Sequence, residues 1–206
     1  MTRQIDYIFS LVSPWAYLGS ARFHAMAAKH GYAITYRPVS LPAVFKETGG
    51  LPLAQRPTTR QLYRWSEMQR WRDHLKIPLT LRPKFFPVDV TLADRAILAL
   101  IEQGATPQRF IEAAHAAIWV EDRNLADEAV VAEVLSACGH DAAATLAQAK
   151  TDAIGAIYAG HGEWSIANNV FGSPSYVLNG EIFWGQDRLP LLEEALASGR
   201  APYLPV

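Results

Sequence analysis

Gln4 to Tyr17 reads QIDYIFSLVSPWAY, and the organisation of the chain follows from how this stretch divides. Gln4 to Phe9 is a short run of β-branched and aromatic residues closed by Ser10, which is the pattern of a strand. Ser13 then offers a favoured N-cap and Pro14 a favoured first helical residue. The helix that starts there runs to about His30 and ends at Gly31, a residue that closes helices by taking the left-handed conformation. Tyr32 to Val39 (YAITYRPV) alternates as a strand does. A strand, helix, strand order with a helix of this length places the two strands parallel.

Outward from this unit, Ser40 to Pro57 is rich in Pro and Gly and is expected to be a long loop of the kind that often carries function. Thr58 to Leu75 has helical periodicity, with Leu62, Trp65, Met68 or Gln69, and Arg72 along one row and Trp71 nearby. Pro78 to Val90 is again punctuated by proline. Thr91 to Gln103, Pro107 to Val120, Asp127 to Ala137 and Asp141 to Ala159 read as four more helices, parted by Gly104, Asn124 and Gly139. Strand character returns at Ser175 to Leu178, turns at Asn179-Gly180, a strong hairpin signal, and resumes at Glu181 to Trp184. A last helix, Arg188 to Ala197, ends before Gly199. The expected order is βαβ, a block of helices, then ββα, with residues 1–39 and 170–206 forming one domain and 40–169 an inserted helical one.

Composition narrows the function classes. A chain of 206 residues, half of them hydrophobic, can bury a full core. A formal charge of -1 supplies no basic field for nucleic acid. No segment approaches the ~18 to 20 apolar residues of a membrane span, and Met1 to Phe9 lacks a signal-peptide core, so a cytoplasmic protein is expected. The single cysteine, Cys138, precludes an internal disulfide and a C-x-x-C pair; beside Gly139 it reads as a packed thiol. The six histidines show no spacing of a metal site. No phosphate loop and no G-x-S-x-G elbow is present.

Three stretches carry the chemistry. In Ser13-Pro14-Trp15-Ala16-Tyr17 a hydroxyl stands at the positive end of a helix dipole, among backbone N–H groups, a setting that favours an anion such as a thiolate. Ser13 also reads simply as a cap. In Gly172-Ser173-Pro174-Ser175-Tyr176 the proline enters a strand where it need donate no ladder bond. Were the Ser173-Pro174 bond cis, Ser173 would turn its backbone toward a groove and could pair with a short peptide; a trans, structural proline is the other reading. In Trp184-Gly185-Gln186-Asp187-Arg188-Leu189 the acid is first a helix cap, while Gln186 and Asp187 also suit an ammonium.

Taken together, Ser13 to Tyr17, Phe171 to Pro174 and Phe183 to Leu189 resemble the 2-hydroxychromene-2-carboxylate isomerases, which with kappa-class glutathione transferases form part of the DsbA-like branch of the thioredoxin superfamily. Val44-Phe45-Lys46, Gln69-Arg70-Trp71 and Phe86-Pro87-Val88 fall in the same order, so the likeness covers nearly the whole chain. The resemblance implies an α/β fold: a thioredoxin-like βαβ…ββα core with a large all-helical insertion. It implies glutathione as cofactor, its sulfur held by Ser13, its backbone by Ser173 next to Pro174, and its γ-glutamyl end by Trp184, Gln186 and Asp187. It implies a small aromatic carboxylic acid as substrate, with Lys46, Arg60, Pro87 and Asp89 around it, and a homodimer by family analogy. Ser173 stands where valine is usual, Asp89 where asparagine is usual and Gly50 where asparagine is common, and the last two departures fall in the substrate-shaping region. A glutathione-dependent isomerase is the leading expectation. A kappa-like transferase and a non-catalytic glutathione- or peptide-binding module are the alternatives. Ser13 and Ala16 stand at the two cysteine positions of the redox motif, which opposes a disulfide oxidoreductase.

Overall fold

The computed structural model describes residues 3–205. Strand β1 (Gln4–Phe9) leads through Ser10 to Ser13 into helix α1 (Pro14–His30), and β2 (Ala33–Pro38) returns parallel to β1, with Tyr7 opposite Tyr36. Ser13 has extended backbone and its Oγ accepts from the Ala16 N–H at 3.3 Å, while Gly31 closes the helix at φ 69°. Late in the chain β3 (Ser175–Leu178) and β4 (Glu181–Trp184) form the hairpin that Asn179-Gly180 announces, both turn residues having positive φ. Strand β3 lies antiparallel to β1, and the sheet order is β2-β1-β3-β4.

Between β2 and β3 run seven helices: α2 (Leu41–Thr48), α3 (Thr58–Leu75), α4 (Thr91–Glu102), α5 (Gln108–Trp119), α6 (Glu128–Ala137), α7 (Ala142–Ala149) and α8 (Asp152–Ala167). A short 3-10 turn, Gln186–Arg188, then leads into α9 (Leu189–Ser198). Three of these findings correct the reading from sequence. The stretch Ser40 to Pro57 is not all loop: Ser40 precedes α2, Pro42 occupies its first turn and Gly49 ends it at φ 77°. The helix expected over Asp141 to Ala159 is two, because the Thr151 hydroxyl accepts from the Ile154 N–H and starts α8 afresh. The buried positions on α3 are Arg64 and Met68, whereas Leu62 is 61% exposed. The true row is thus displaced around the helix from the one expected.

One apolar core runs through both parts of the chain, joining Tyr7, Phe9, Phe23 and Tyr176 of the sheet and α1 to Ala93, Ile97, Ile118 and Trp119 of the helical block. The rings of Tyr7 stack on Phe9 at 4.3 Å and on Tyr176 at 5.4 Å. Aromatic pairs of this kind contribute about 1 kcal/mol each beyond the area they bury. At Gly19 a Cβ would lie 2.8 Å from both the Gln186 Cβ and the Tyr176 hydroxyl. That close approach seats the 3-10 turn before α9 directly on α1, so the first and third sequence motifs share one face.

Candidate functional site

The site grows from the N-terminus of α1. Ser13 is 4% exposed, and besides capping Ala16 its hydroxyl donates to the carbonyl of Ser173 at 3.2 Å. The Ser10 N–H donates to Ser173 Oγ at 3.1 Å, so Ser173 is tied twice to the loop before α1, once by Ser10 and once by Ser13. The Ser173-Pro174 peptide is cis. The Gly185 N–H donates to the Pro174 carbonyl at 2.9 Å, which ties the third motif to the second. The Trp184 indole packs directly on Gly172, where a Cβ would lie 2.4 Å from its Nε1. Trp184 itself stands half exposed, edge-on to Phe171 at 4.7 Å.

Ser13, Ser173, Pro174, Trp184 and Gly185 thus form one connected cluster, in which Ser13, Ser173 and Pro174 are buried and Trp184 is exposed. Gln186 adjoins it, but is buried, and its Oε1 accepts from Arg22 Nη1 at 2.7 Å. Asp187 is exposed and pairs with Arg188 at 3.0 Å. An exposed pair of this kind is weak, so the Asp187 carboxylate remains open to exchange partners.

The substrate-side candidates are placed less tightly. Lys46 lies in the last turn of α2, and both it and Arg60, in the first turn of α3, are exposed. Pro87 follows a second cis peptide, Phe86-Pro87, and is exposed. Asp89 Oδ1 accepts from the Thr91 N–H at 2.9 Å at the start of α4; this hydrogen bonding lowers its pKa. Its carboxylate is therefore engaged locally.

Two buried charges went unseen in the sequence. Asp94, fully buried in the first turn of α4, lies beneath the loop that carries Ser13. It accepts from the Leu11 N–H at 3.4 Å, the Ser10 hydroxyl at 3.4 Å and the Tyr158 hydroxyl at 3.1 Å. Burial raises its pKa to about 8 against the pull of those three donors, so at neutral pH it is mostly a neutral acid. On the other side Trp119 Nε1 donates to the Leu11 carbonyl at 3.3 Å, Phe86 packs on the Trp119 ring at 5.2 Å, and the guanidinium of Arg64 lies 5.3 Å from the Phe86 ring. The signal that locates Arg64 is its spacing, four before Met68 and seven before Trp71, which puts a charge on the buried row of α3.

A cavity of about 570 Å³ lies elsewhere, between α1, β2, α4 and α5, with His24, Tyr36, Ile101 and Gln108 in its wall. It contains none of the residues named for the site. Cys138 is packed, its thiol pKa raised by burial.

A family profile described as DSBA-like thioredoxin domain matches residues 4–197. A 2-hydroxychromene-2-carboxylate isomerase of Sphingobium xenophagum is 28% identical over 204 residues, covering 95% of this chain and 99% of that protein. The solved structure of a 2-hydroxychromene-2-carboxylate isomerase superposes with a TM-score of 0.80 at 27% identity, covering 95% of each chain. A Glutathione S-transferase kappa 1 of Caenorhabditis elegans is 29% identical over 144 residues, covering 66% of this chain and 62% of that protein.

Proposed function

Since this chain belongs to the DSBA-like thioredoxin domain family and is similar along nearly its whole length to 2-hydroxychromene-2-carboxylate isomerases, we propose that it is a glutathione-dependent isomerase of 2-hydroxychromene-2-carboxylate or a similar aromatic-pathway carboxylic acid. The observation that carries this reading is the bond between the Ser13 hydroxyl and the Ser173 carbonyl at 3.2 Å, at the start of α1. Both groups suit glutathione, and the fit can be judged from what each can still do.

The Ser13 hydroxyl has one proton and two lone pairs. In this structure the proton goes to Ser173 and one lone pair to Ala16. Rotation of the proton toward an incoming sulfur releases the Ser173 carbonyl in the same step, and that carbonyl can then accept a peptide N–H. The α1 dipole favours the thiolate over the thiol. Asp187 supplies the acid for an ammonium at the far end, while Trp184 offers an exposed flat face alongside.

When bound, glutathione would supply a thiolate that adds reversibly to an electron-poor carbon, so that the ring opens, a former double bond rotates, and the thiol is returned. Ser13 acts as a hydrogen-bond donor to that sulfur and never as a nucleophile. Asp94 holds the Ser10 to Leu11 backbone from below, which fixes where Ser13 stands.

The test is to follow 2-hydroxychromene-2-carboxylate by absorbance with wild type and Ser13→Ala, each with and without glutathione. Turnover is expected only with glutathione, and Ser13→Ala is expected to lower it about 100-fold, as loss of one preorganised donor does. Turnover indifferent to glutathione sinks the proposal. The kappa-class match favours a second reading, a transferase that conjugates glutathione to an electrophile; product analysis separates the two, because only the transferase consumes glutathione.

A further inference from the structure

Helix α3 carries an arginine where its buried row calls for an apolar residue. Arg64 is 8% exposed, in line with buried Met68 and half-buried Trp71 and Leu75. Its guanidinium lies 5.4 Å from the Trp65 ring and 5.3 Å from the Phe86 ring. Its Nη1 is enclosed and makes no hydrogen bond among the described residues.

Other cations surround it. Arg82 lies 5.2 Å from the same Trp65 ring, the Arg56 charge acts on Arg64, and the Arg60 charge acts on Arg56. None of these four arginines forms an ion pair among the described residues. The two acids of α3 are spent elsewhere, Glu67 on Arg70 and Asp73 on Arg72. Burial and the Arg56 charge lower the Arg64 pKa to about 10, so it stays charged at neutral pH.

A buried guanidinium without a carboxylate is costly, and folding alone gives no reason to retain it. Its place in the molecule gives one. The contacts from Arg64 to Phe86, Phe86 to Trp119 and Trp119 Nε1 to the Leu11 carbonyl end two residues before Ser13. Aromatic faces and a planar fork of donors together match a planar aromatic acid, with the ring against Trp65 or Phe86 and the carboxylate on the guanidinium.

We propose that Arg64 is the residue that holds the carboxylate of the aromatic substrate, with Arg56, Arg60 and Arg82 supplying the attracting field. The link to turnover rests on the isomerase reading, whereas the anion site itself does not. Exposed Lys46 and Arg60 are then outer charges and not the ligand.

The probe is 2-hydroxybenzoate, titrated by calorimetry without glutathione into wild type, Arg64→Met and Arg64→Lys, with neutral 2-hydroxybenzamide as control. Wild type is expected to bind the acid at least 10-fold more tightly than Arg64→Met does, Arg64→Lys to fall between them, and the amide to bind all three alike. Arg64→Met is expected to keep or raise the melting temperature, and in the isomerase assay to raise KM with kcat little changed. Equal binding of the acid by wild type and Arg64→Met, or a lowered melting temperature with unchanged KM, overturns the proposal and assigns Arg64 a packing role. Arg64-dependent binding of the acid without any isomerase activity sustains the anion site and removes the isomerase reading instead.

Discussion

Asp94 and Arg64 are both buried titratable groups of the helical block, the first touching the loop before Ser13 directly and the second linked to it only through Phe86 and Trp119, and the fold treats them in opposite ways. The acid is given three donors, from Ser10, Leu11 and Tyr158, and burial leaves it mostly neutral. The base is given two aromatic rings and a neighbouring cation, and its enclosed Nη1 has no acceptor among the described residues. A buried polar group satisfied from within serves to fix geometry. One left unsatisfied stores an interaction for something that is not part of the chain. On this view the floor under Ser13 is structural and the α3 wall is a recognition surface.

The sharpest way to break that contrast is Asp94→Ala. It strands the Leu11 N–H and the Ser10 and Tyr158 hydroxyls in a dry core, which costs about 3 kcal/mol, and it frees the loop that positions Ser13. Chemical denaturation and the glutathione-dependent rate should fall together. Undiminished stability would mean that the three contacts do not hold the loop.

The next largest effect is in pH. The folded pKa of Asp94, about 8, is raised above an unfolded value of about 3.9. Between the two the folded protein keeps a proton that the unfolded chain has released, so this group's contribution to stability is lost as pH rises toward 8. His115 works the other way, because burial lowers its pKa to about 3. Between there and its unfolded value near 6.5 it favours folding as pH rises, and His161, lowered by burial to about 4, adds to this. The opposing slopes overlap below pH 6.5. The histidine slopes fade above it while the Asp94 slope persists, so stability should drop by about 1 kcal/mol between pH 6.5 and 8, and Asp94→Asn should abolish that drop.

Arg64→Met tests the other member of the pair and should move stability in the opposite direction. Exchanging an unpaired buried charge for an apolar side chain should stabilise the fold by about 1 kcal/mol in denaturant titrations. A loss of that size would show that the two ring contacts outweigh the desolvation.

This pair also marks how far the sequence could be read. Ser13 with Pro14, Gly31, and Asn179-Gly180 were legible because caps and turns are set by neighbours in the chain. Helix α2 was hidden by the Pro and Gly around it, although Pro42 and Gly49 sit where a short helix would place them. The join at Thr151 was hidden by alanines that suit one helix as well as two. The apolar row of α3 was misphased although it included Met68, because Leu62 is as apolar as Trp71 and nothing local marks Arg64 as buried; only packing against Phe86 and α1 decides between the two faces. The partners of Asp94 come from the loop after β1 and from α8, and no local pattern joins residues so far apart. The motifs around Ser13 were therefore mostly local, and the surroundings of Asp94 and Arg64 were mostly not.

The smallest expected effect separates geometry from charge at Asp94. Tyr158→Phe deletes one donor and leaves the ring in place. Burial and the nearby Asp94 keep the Tyr158 hydroxyl protonated far above its ordinary range, so it remains a donor at every pH of interest. A donor to a carboxylate favours the charged form, and its loss should push the Asp94 pKa still higher. The cost of Tyr158→Phe should then be only about 0.5 kcal/mol at pH 6, where the acid is neutral, and about 1 kcal/mol or more at pH 9, where the wild-type acid is ionised. A cost independent of pH would mean that Tyr158 only fills space beside Asp94. In that case the acid is held by the loop alone, and the contrast with Arg64 would rest on two donors instead of three.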